Sequence, residues 1–187
     1  TVWVLEKRIA ALDGGSAAVA FATGMAAITT TLMLISEGVS GHIANIVAPT
    51  TLYGAAHDAL THFLPKFGIE TRFVRDASKP ENFEKEIDIN TRAIYLETIS
   101  NPNADIYDYE EIADAAHRHS IPLIVDNTIA TPYLFRPFEN GADVIIYSAT
   151  KGIAGHGNVL AGLAVESGKF EYSKEKYPQF YRKLFKI

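Results

Sequence analysis

The chain has 187 residues, a formal net charge of -5, 48% hydrophobic content and no cysteine. That is enough sequence for one sizeable core, and the acidic balance argues against a nucleic-acid binder, which would carry a basic stripe. Disulfides, zinc-thiolate sites and cysteine nucleophiles are excluded, and no apolar run approaches the roughly 20 residues that span a bilayer.

Val2 to Leu12 reads as a helix closed by Gly14-Gly15. The chain opens in it at Thr1, with no methionine or signal peptide, as the middle of something longer would. Ala17 to Phe21 is a short apolar strand, and Thr23-Gly24 opens a helix running to about Ile35. Ile43 to Ala48 is strand-like and ended by Pro49; Tyr53 to Leu64 is helical. Glu70 to Val74 is a strand, and Pro80 to Ile87 a short helix with proline near its start. Ala93 to Glu97 is an apolar strand ending in a carboxylate, Tyr107 to His119 a helix, and Pro122 to Asp126 another apolar strand ending in a carboxylate. Ala142 to Ser148 and Val159 to Val165 complete the strands. Short apolar strands alternating with helices predict an α/β fold: a mostly parallel sheet with helices on both faces.

From Lys169 the character changes. Lys174, Lys176, Arg182, Lys183 and Lys186 mix with Tyr172, Tyr177, Phe180, Tyr181 and Phe185. The expected division is a domain over 1–168 and, over 169–187, a linker or excursion toward further sequence. A basic aromatic partner-binding patch is the alternative.

The stretch Asp143 to Gly157 is the most informative. It reads as a buried apolar strand ending in hydroxyls, then Lys151, then a glycine-rich loop. Desolvating an ammonium favours the neutral amine, a nucleophile, and Ser148 and Thr150 flank it with hydroxyls suited to an anion. Lys151 reads either as a Schiff-base lysine beside a phosphate site or as a snorkelling strand-end lysine. In open α/β sheets, ligands sit beyond the carboxyl ends of the strands, where Thr23-Gly24, Glu97, Asp126 and Ser148 to Lys151 could converge. Gly24 and Met25 open a helix whose free N–H groups suit an anion, or an ordinary helix start with Thr23 as its N-cap. Asp126 would pair with a protonated ring nitrogen or cap the turn at Asn127-Thr128. Tyr53 would stack on a flat cofactor or belong to the core. Asn101 would orient polar groups or begin a turn. His57 and His62, and His117 and His119, are poorly spaced for a metal. Glu110, Glu111 and Asp114 read as a solvated helix face. A dinucleotide site is disfavoured because no Gly-x-Gly-x-x-Gly follows the first strand.

Taken together, the residues resemble the Cys/Met-metabolism family of pyridoxal-phosphate enzymes. The resemblance rests on Leu5 to Leu12, Thr23-Gly24-Met25-Ala26-Ala27, Thr51-Leu52-Tyr53-Gly54, Glu97-Thr98-Ile99-Ser100-Asn101-Pro102, Val125-Asp126-Asn127-Thr128, and Ser148-Ala149-Thr150-Lys151 with Gly155-His156. It implies the large cofactor-binding domain of a fold-type I enzyme, aspartate aminotransferase-like. Lys151 would carry pyridoxal 5'-phosphate and later protons. Asp126 would keep the pyridine nitrogen protonated, and Tyr53 would stack on the ring. Gly24 and Met25 amides, with Ser148 and Thr150, would hold the phosphate. Asn101 and Thr128 would support ring or substrate, and Glu97 would support the site from behind.

Pro80 to Glu84, Ile121 to Thr128 with Thr131 to Leu134, and Ser167 to Tyr172 resemble the O-acetylhomoserine sulfhydrylase branch of the family. That implies γ-replacement on an amino-acid substrate by sulfide or a thiol in a cytoplasmic homo-oligomer, a dimer of dimers. The cystathionine synthases, cystathionine γ-lyases and methionine γ-lyases of the family are the alternatives, and a truncated non-catalytic module is the alternative of another class. Gly152 stands where the family usually has a bulky residue, and Ala55 where it usually has glycine. Family members are roughly twice as long, and neither the substrate-carboxylate arginine of their C-terminal domain nor the Tyr and Arg of their N-terminal arm falls in this chain.

Overall fold

The computed structural model describes residues 1–37 and 43–182. Helix α1 (Val2–Asp13) ends at Gly14, whose φ of 74° is the left-handed cap that glycine adopts without strain. Strand β1 (Ala17–Phe21) follows, then α2 (Gly24–Ser36) and β2 (Ala44–Pro49). Helix α3 (Gly54–Asp58) passes into a π-helical turn (Ala59–Phe63) and a 3-10 turn (Leu64–Phe67). The Thr61 hydroxyl donates to the His57 carbonyl at 2.8 Å, a back-bond that competes with the α-helical ladder. Then come β3 (Ile69–Val74), α4 (Pro80–Lys85), β4 (Thr91–Glu97), α5 (Tyr109–Arg118), β5 (Leu123–Asp126), α6 (Thr131–Leu134), β6 (Val144–Ser148) and β7 (Gly162–Glu166). The elements expected from the sequence are present with ends shifted by a few residues; α6 and the 3-10 turns Pro137–Asn140 and Pro178–Tyr181 are additional.

The seven strands form one sheet in the order β1-β7-β6-β5-β4-β2-β3. From β3 to β6 the pairs are parallel, whereas β7 runs antiparallel to both β6 and β1. Helices cover both faces. Ile9 and Ala10 of α1, Phe83 of α4 and Ile112, Ala113 and Ala116 of α5 pack on one. Ala27, Ile28, Leu32 and Ile35 of α2 and Ala56 of α3 pack on the other. Side chains alternate along each strand. Ala93 and Tyr95 of β4, Ile124 of β5, and Val144 and Ile146 of β6 lie on the α2 face. Continuing that alternation by one step puts Glu97, Asp126 and Ser148 at the carboxyl ends of three adjacent strands on that same face.

Two glycines let α2 begin there. A Cβ on Gly24 would sit 2.6 Å from Ser148 Cβ, and one on Gly162 would sit 2.0 Å from the Thr23 carbonyl oxygen and 2.9 Å from the Gly24 nitrogen. The obstacle at Gly162 is backbone, so Gly162→Ala is expected to displace the start of α2 and cost about 3 kcal/mol. Thermal melting of the variant checks this, and an unchanged Tm would contradict the packing.

Of the segment from 169 onward, residues 169–182 pack against the sheet domain. Tyr177 is fully buried, its hydroxyl donates to the Arg92 carbonyl at 2.8 Å, and Phe170, Tyr172 and Phe180 pack around its ring. Lys183, Phe185 and Lys186 fall outside the described residues.

Candidate active site

One cavity of about 520 Å³ opens at the carboxyl ends of β4, β5 and β6. Gly24, Met25, Tyr53, Asn101, Asp126, Thr128, Ser148, Thr150 and Lys151 all line it, with Thr23 and Glu97. The topology therefore brings the candidate residues from five separate segments into one site.

Thr23 is the N-cap of α2, its Oγ1 accepting from the Ala26 N–H at 3.0 Å. The Ala27 N–H is taken by the Thr23 carbonyl. The Gly24 and Met25 N–H groups keep no intramolecular acceptor among the described residues, which leaves two donors and the positive end of a 13-residue helix at the cavity. Ser148, beside them, has an uncommitted hydroxyl. The Thr150 hydroxyl is committed: it donates to the Ala161 carbonyl at 3.2 Å and accepts from the Ala161 N–H at 3.1 Å.

Asp126 is buried, and Oδ1 accepts from both the N–H and the hydroxyl of Thr128. Thr128 Oγ1 in turn accepts from the Ser148 N–H at 2.7 Å. Asp126 thus caps the following turn through one oxygen, while Oδ2 makes no hydrogen bond among the described residues. Burial pushes its carboxyl up to about 6 against the lowering effect of the Thr128 bonds and of the nearby buried Tyr95 hydroxyl, which does not reach full hydrogen-bond geometry. Glu97 is its register partner on β4. Glu97 Oε1 accepts from the Tyr53 N–H at 2.7 Å and Oε2 from the Asn101 N–H at 3.0 Å. Burial pushes Glu97 up to about 7; the two N–H donors oppose this and the neighbouring Asp126 charge adds to it. One carboxylate therefore ties together the two loops that carry Tyr53 and Asn101. Nothing in the spacing of these residues announces that arrangement, since both donors are backbone groups.

Tyr53 is not a core residue: it is 47% exposed at the cavity mouth. Lys151 is also exposed, which corrects the expectation of a desolvated lysine at a strand end. Strand β6 stops at Ser148, and the lysine follows on a turn held by Lys151 N to Ser148 O at 3.1 Å and Gly155 N to Lys151 O at 2.8 Å. It is the one basic side chain among the described residues lining the cavity. Gly152 packs close to Thr131, whose Cγ2 would be 2.8 Å from an added Cβ, so a bulky residue there would displace α6. Ala55 is exposed on α3. Sequence reasoning missed the apolar wall of Ile28, Ile99, Ile129 and Leu160. Its available signal was adjacency, since Ile99 and Ile129 sit within a few residues of Glu97 and Asp126. Of the histidines weighed as metal ligands, His57 stacks on Phe73, His62 lies 3.8 Å from Asp58, and His117 and His119 pair with Asp143 and Glu84; none of the four lines the cavity.

The family profile "Cys/Met metabolism PLP-dependent enzyme" matches residues 1–182. Sulfhydrylase FUB7 of Fusarium oxysporum is 48% identical over 182 residues, covering 96% of this chain and 41% of its own length. The homocysteine/cysteine synthase of Saccharomyces cerevisiae is 47% identical over 180 residues, covering 95% and 39%. Among solved structures, a Campylobacter jejuni protein assigned as an O-acetylhomoserine (thiol)-lyase, with an N'-pyridoxyl-lysine-5'-monophosphate, superposes with a TM-score of 0.82. It is 40% identical and covers 89% of this chain and 40% of that one. The chain thus spans about two fifths of the length of the relatives it matches. With the profile covering nearly every residue and the sheet superposing on a solved member, the chain belongs to the Cys/Met metabolism family of pyridoxal-phosphate-dependent enzymes.

Proposed function

We propose that the full-length protein catalyses γ-replacement on O-acetylhomoserine, with sulfide or a thiol as nucleophile, giving homocysteine (or its thioether) and acetate. The observation that carries this reading is the convergence of Lys151, Asp126, Tyr53, Ser148 and the α2 N-terminus on one cavity. The cavity fits pyridoxal phosphate on its own chemistry. Two free N–H groups and the Ser148 hydroxyl suit a phosphate, Asp126 Oδ2 suits a protonated ring nitrogen, and the exposed Tyr53 ring suits a flat heterocycle. Thr150 would serve the phosphate only by exchanging its bond to Ala161.

When bound, the cofactor supplies an electron-withdrawing ring that accepts the electron pair left at the substrate α-carbon. Asp126 holds the ring proton in place, and Thr128 and Ser148 hold Asp126. Glu97 keeps Tyr53 and Asn101 at the mouth, where they orient ring and substrate. Lys151 Nζ anchors the cofactor and then carries protons to and from the substrate carbons. Overall, the C–O bond to acetate breaks, a C–S bond forms at the γ-carbon, and the proton lost by hydrogen sulfide ends on acetate. The same reading makes the enzyme a cytoplasmic homo-oligomer, a dimer of dimers. The apolar surface of α1, with Trp3 62% and Val2 56% exposed, supports a further contact there.

Purified full-length protein supplied with cofactor, O-acetylhomoserine and sulfide is expected to make homocysteine. Keto-acid release without sulfide incorporation would move the assignment to the lyases, and cofactor binding without turnover would leave a non-catalytic module.

A further inference from the structure

Behind the cavity, on the opposite side of the sheet, the polar residues Thr98, Asn127, Tyr147 and Asp13 are buried. Thr98 directly follows Glu97, and Asn127 directly follows Asp126, so each cavity carboxylate has a neighbour in this second group. The Thr98 hydroxyl donates to Asn127 Oδ1 at 2.8 Å. Asn127 Nδ2 donates to the Phe135 carbonyl at 2.9 Å and to the Tyr147 hydroxyl at 3.1 Å. Tyr147 donates its one proton to Asp13 Oδ1 at 2.6 Å. Thr98 Oγ1 also lies 3.2 Å from the Asp126 carbonyl, and Asn127 Nδ2 spends its two hydrogens on Phe135 and Tyr147; from Asn127 the direction runs through Tyr147 to the last residue of α1.

The orientation is fixed by its members. A carbonyl faces Asn127 on one side, so its Nδ2 must point there and its Oδ1 must receive Thr98. Tyr147 must then accept from Asn127 and donate onward. Asp13 is only 2% exposed, and Oδ2 is buried without a partner, so the Tyr147 hydroxyl is its one side-chain hydrogen bond among the described residues, with the Arg136 charge acting from farther away. An arrangement this expensive to bury contributes little to cohesion that an apolar core would not supply. What it does supply is geometry, because backbone bonds extend it to the cavity: Thr98 N donates to the Asp126 carbonyl at 2.9 Å, and Asn127 N to the Ile146 carbonyl at 2.9 Å.

We propose that Asp13, Tyr147, Asn127 and Thr98 form a positioning relay that fixes the ends of β4 and β5, and with them the direction in which Glu97 and Asp126 face the cavity. The relay deepens the proposed function and rests on it for its catalytic meaning, but its physical content can be tested without cofactor. The test compares Tyr147→Phe with Tyr177→Phe in the full-length protein. Each loses one buried tyrosine hydroxyl, and Tyr177 bonds the Arg92 carbonyl away from the relay. Hydrogen exchange of the cofactor-free protein is read by mass spectrometry in peptides covering 97–101 and 126–128.

Tyr147→Phe is expected to exchange about tenfold faster there, with Tyr177→Phe close to wild type. Asp13→Ala, changed on α1, is expected to loosen the same peptides and stands in if Tyr147→Phe does not fold. Equal exchange in the two tyrosine variants, or unchanged exchange at 97–101 and 126–128 in the relay variants, overturns the relay. Cofactor titration then separates the two claims. With the relay intact in exchange, wild type that forms no lysine-bound absorbance band defeats the functional reading alone. Where wild type does form it, Tyr147→Phe is expected to bind cofactor about tenfold more weakly.

Discussion

Replacing Lys151 by alanine in the full-length protein will abolish the absorbance band of lysine-bound cofactor and lower turnover by about a thousandfold or more. The expectation follows from what surrounds the lysine. No second basic side chain lines the cavity among the described residues, so none of these can take over an amine's work. The loss should also be clean. Lys151 is exposed, and its turn is held by backbone bonds such as Ala154 N to Ala149 O at 2.9 Å, which alanine preserves. Melting should therefore move by less than about 0.5 kcal/mol. A variant that keeps its absorbance band, or turns over within tenfold of wild type, would remove Lys151 from the reaction.

How much of this was legible in the sequence depended on the range over which each feature is determined. Strand β1 was read with its observed ends because a short apolar run between turn residues is a local pattern. Glu97, Asp126 and Ser148 were placed at strand ends for the same reason, and period-two alternation then fixes their shared face. The antiparallel course of β7 between β6 and β1 was not legible, because nothing within Gly162–Glu166 specifies which neighbours it meets. The exposure of Lys151 was missed because it depends on where the chain turns after Ser148. The mixture of basic and aromatic residues from Lys169 marks a change of character, a linker or excursion, but does not say where the aromatics pack. In the structure Tyr177 is buried and bonded to the Arg92 carbonyl, a contact set by tertiary packing rather than by any local pattern. Asp13 carries no signal in the sequence, and only the packing of α1 brings it to its partner Tyr147.

Asp126→Asn is expected to lower turnover by about a hundredfold or more, as loss of a preorganised electrostatic partner does, and to change how stability depends on pH. Glu97 and Asp126 are register partners, and burial holds their carboxyls at about 7 and about 6. In an unfolded chain these groups titrate near 4.3 and 3.9. The folded state thus binds their protons more tightly. The stability they contribute is fully present below about pH 4 and is lost as pH rises through about 6 and 7. Asp13, also raised to about 6, acts in the same sense, and so does His117, raised by its bond to Asp143. The lowered carboxyls of Asp76, Glu84 and Asp88 act oppositely, but only as pH falls below about 4. Between pH 5 and 8 the slope therefore has one sign, and the cofactor-free protein should melt lower at pH 8 than at pH 5. A bound cation beside Asp126 removes part of that penalty, so cofactor should raise the Tm more at pH 8 than at pH 5. Asp126→Asn should flatten the first trend and erase the second. Glu97→Gln should flatten the first but keep the second, at a cost of about 1–3 kcal/mol, because one amide oxygen cannot receive both the Tyr53 and Asn101 N–H groups. Melting curves of the three proteins with and without cofactor measure both trends, and a Tm of the cofactor-free protein that rises from pH 5 to 8 would show that the two carboxylates do not carry the shared burden assigned to them.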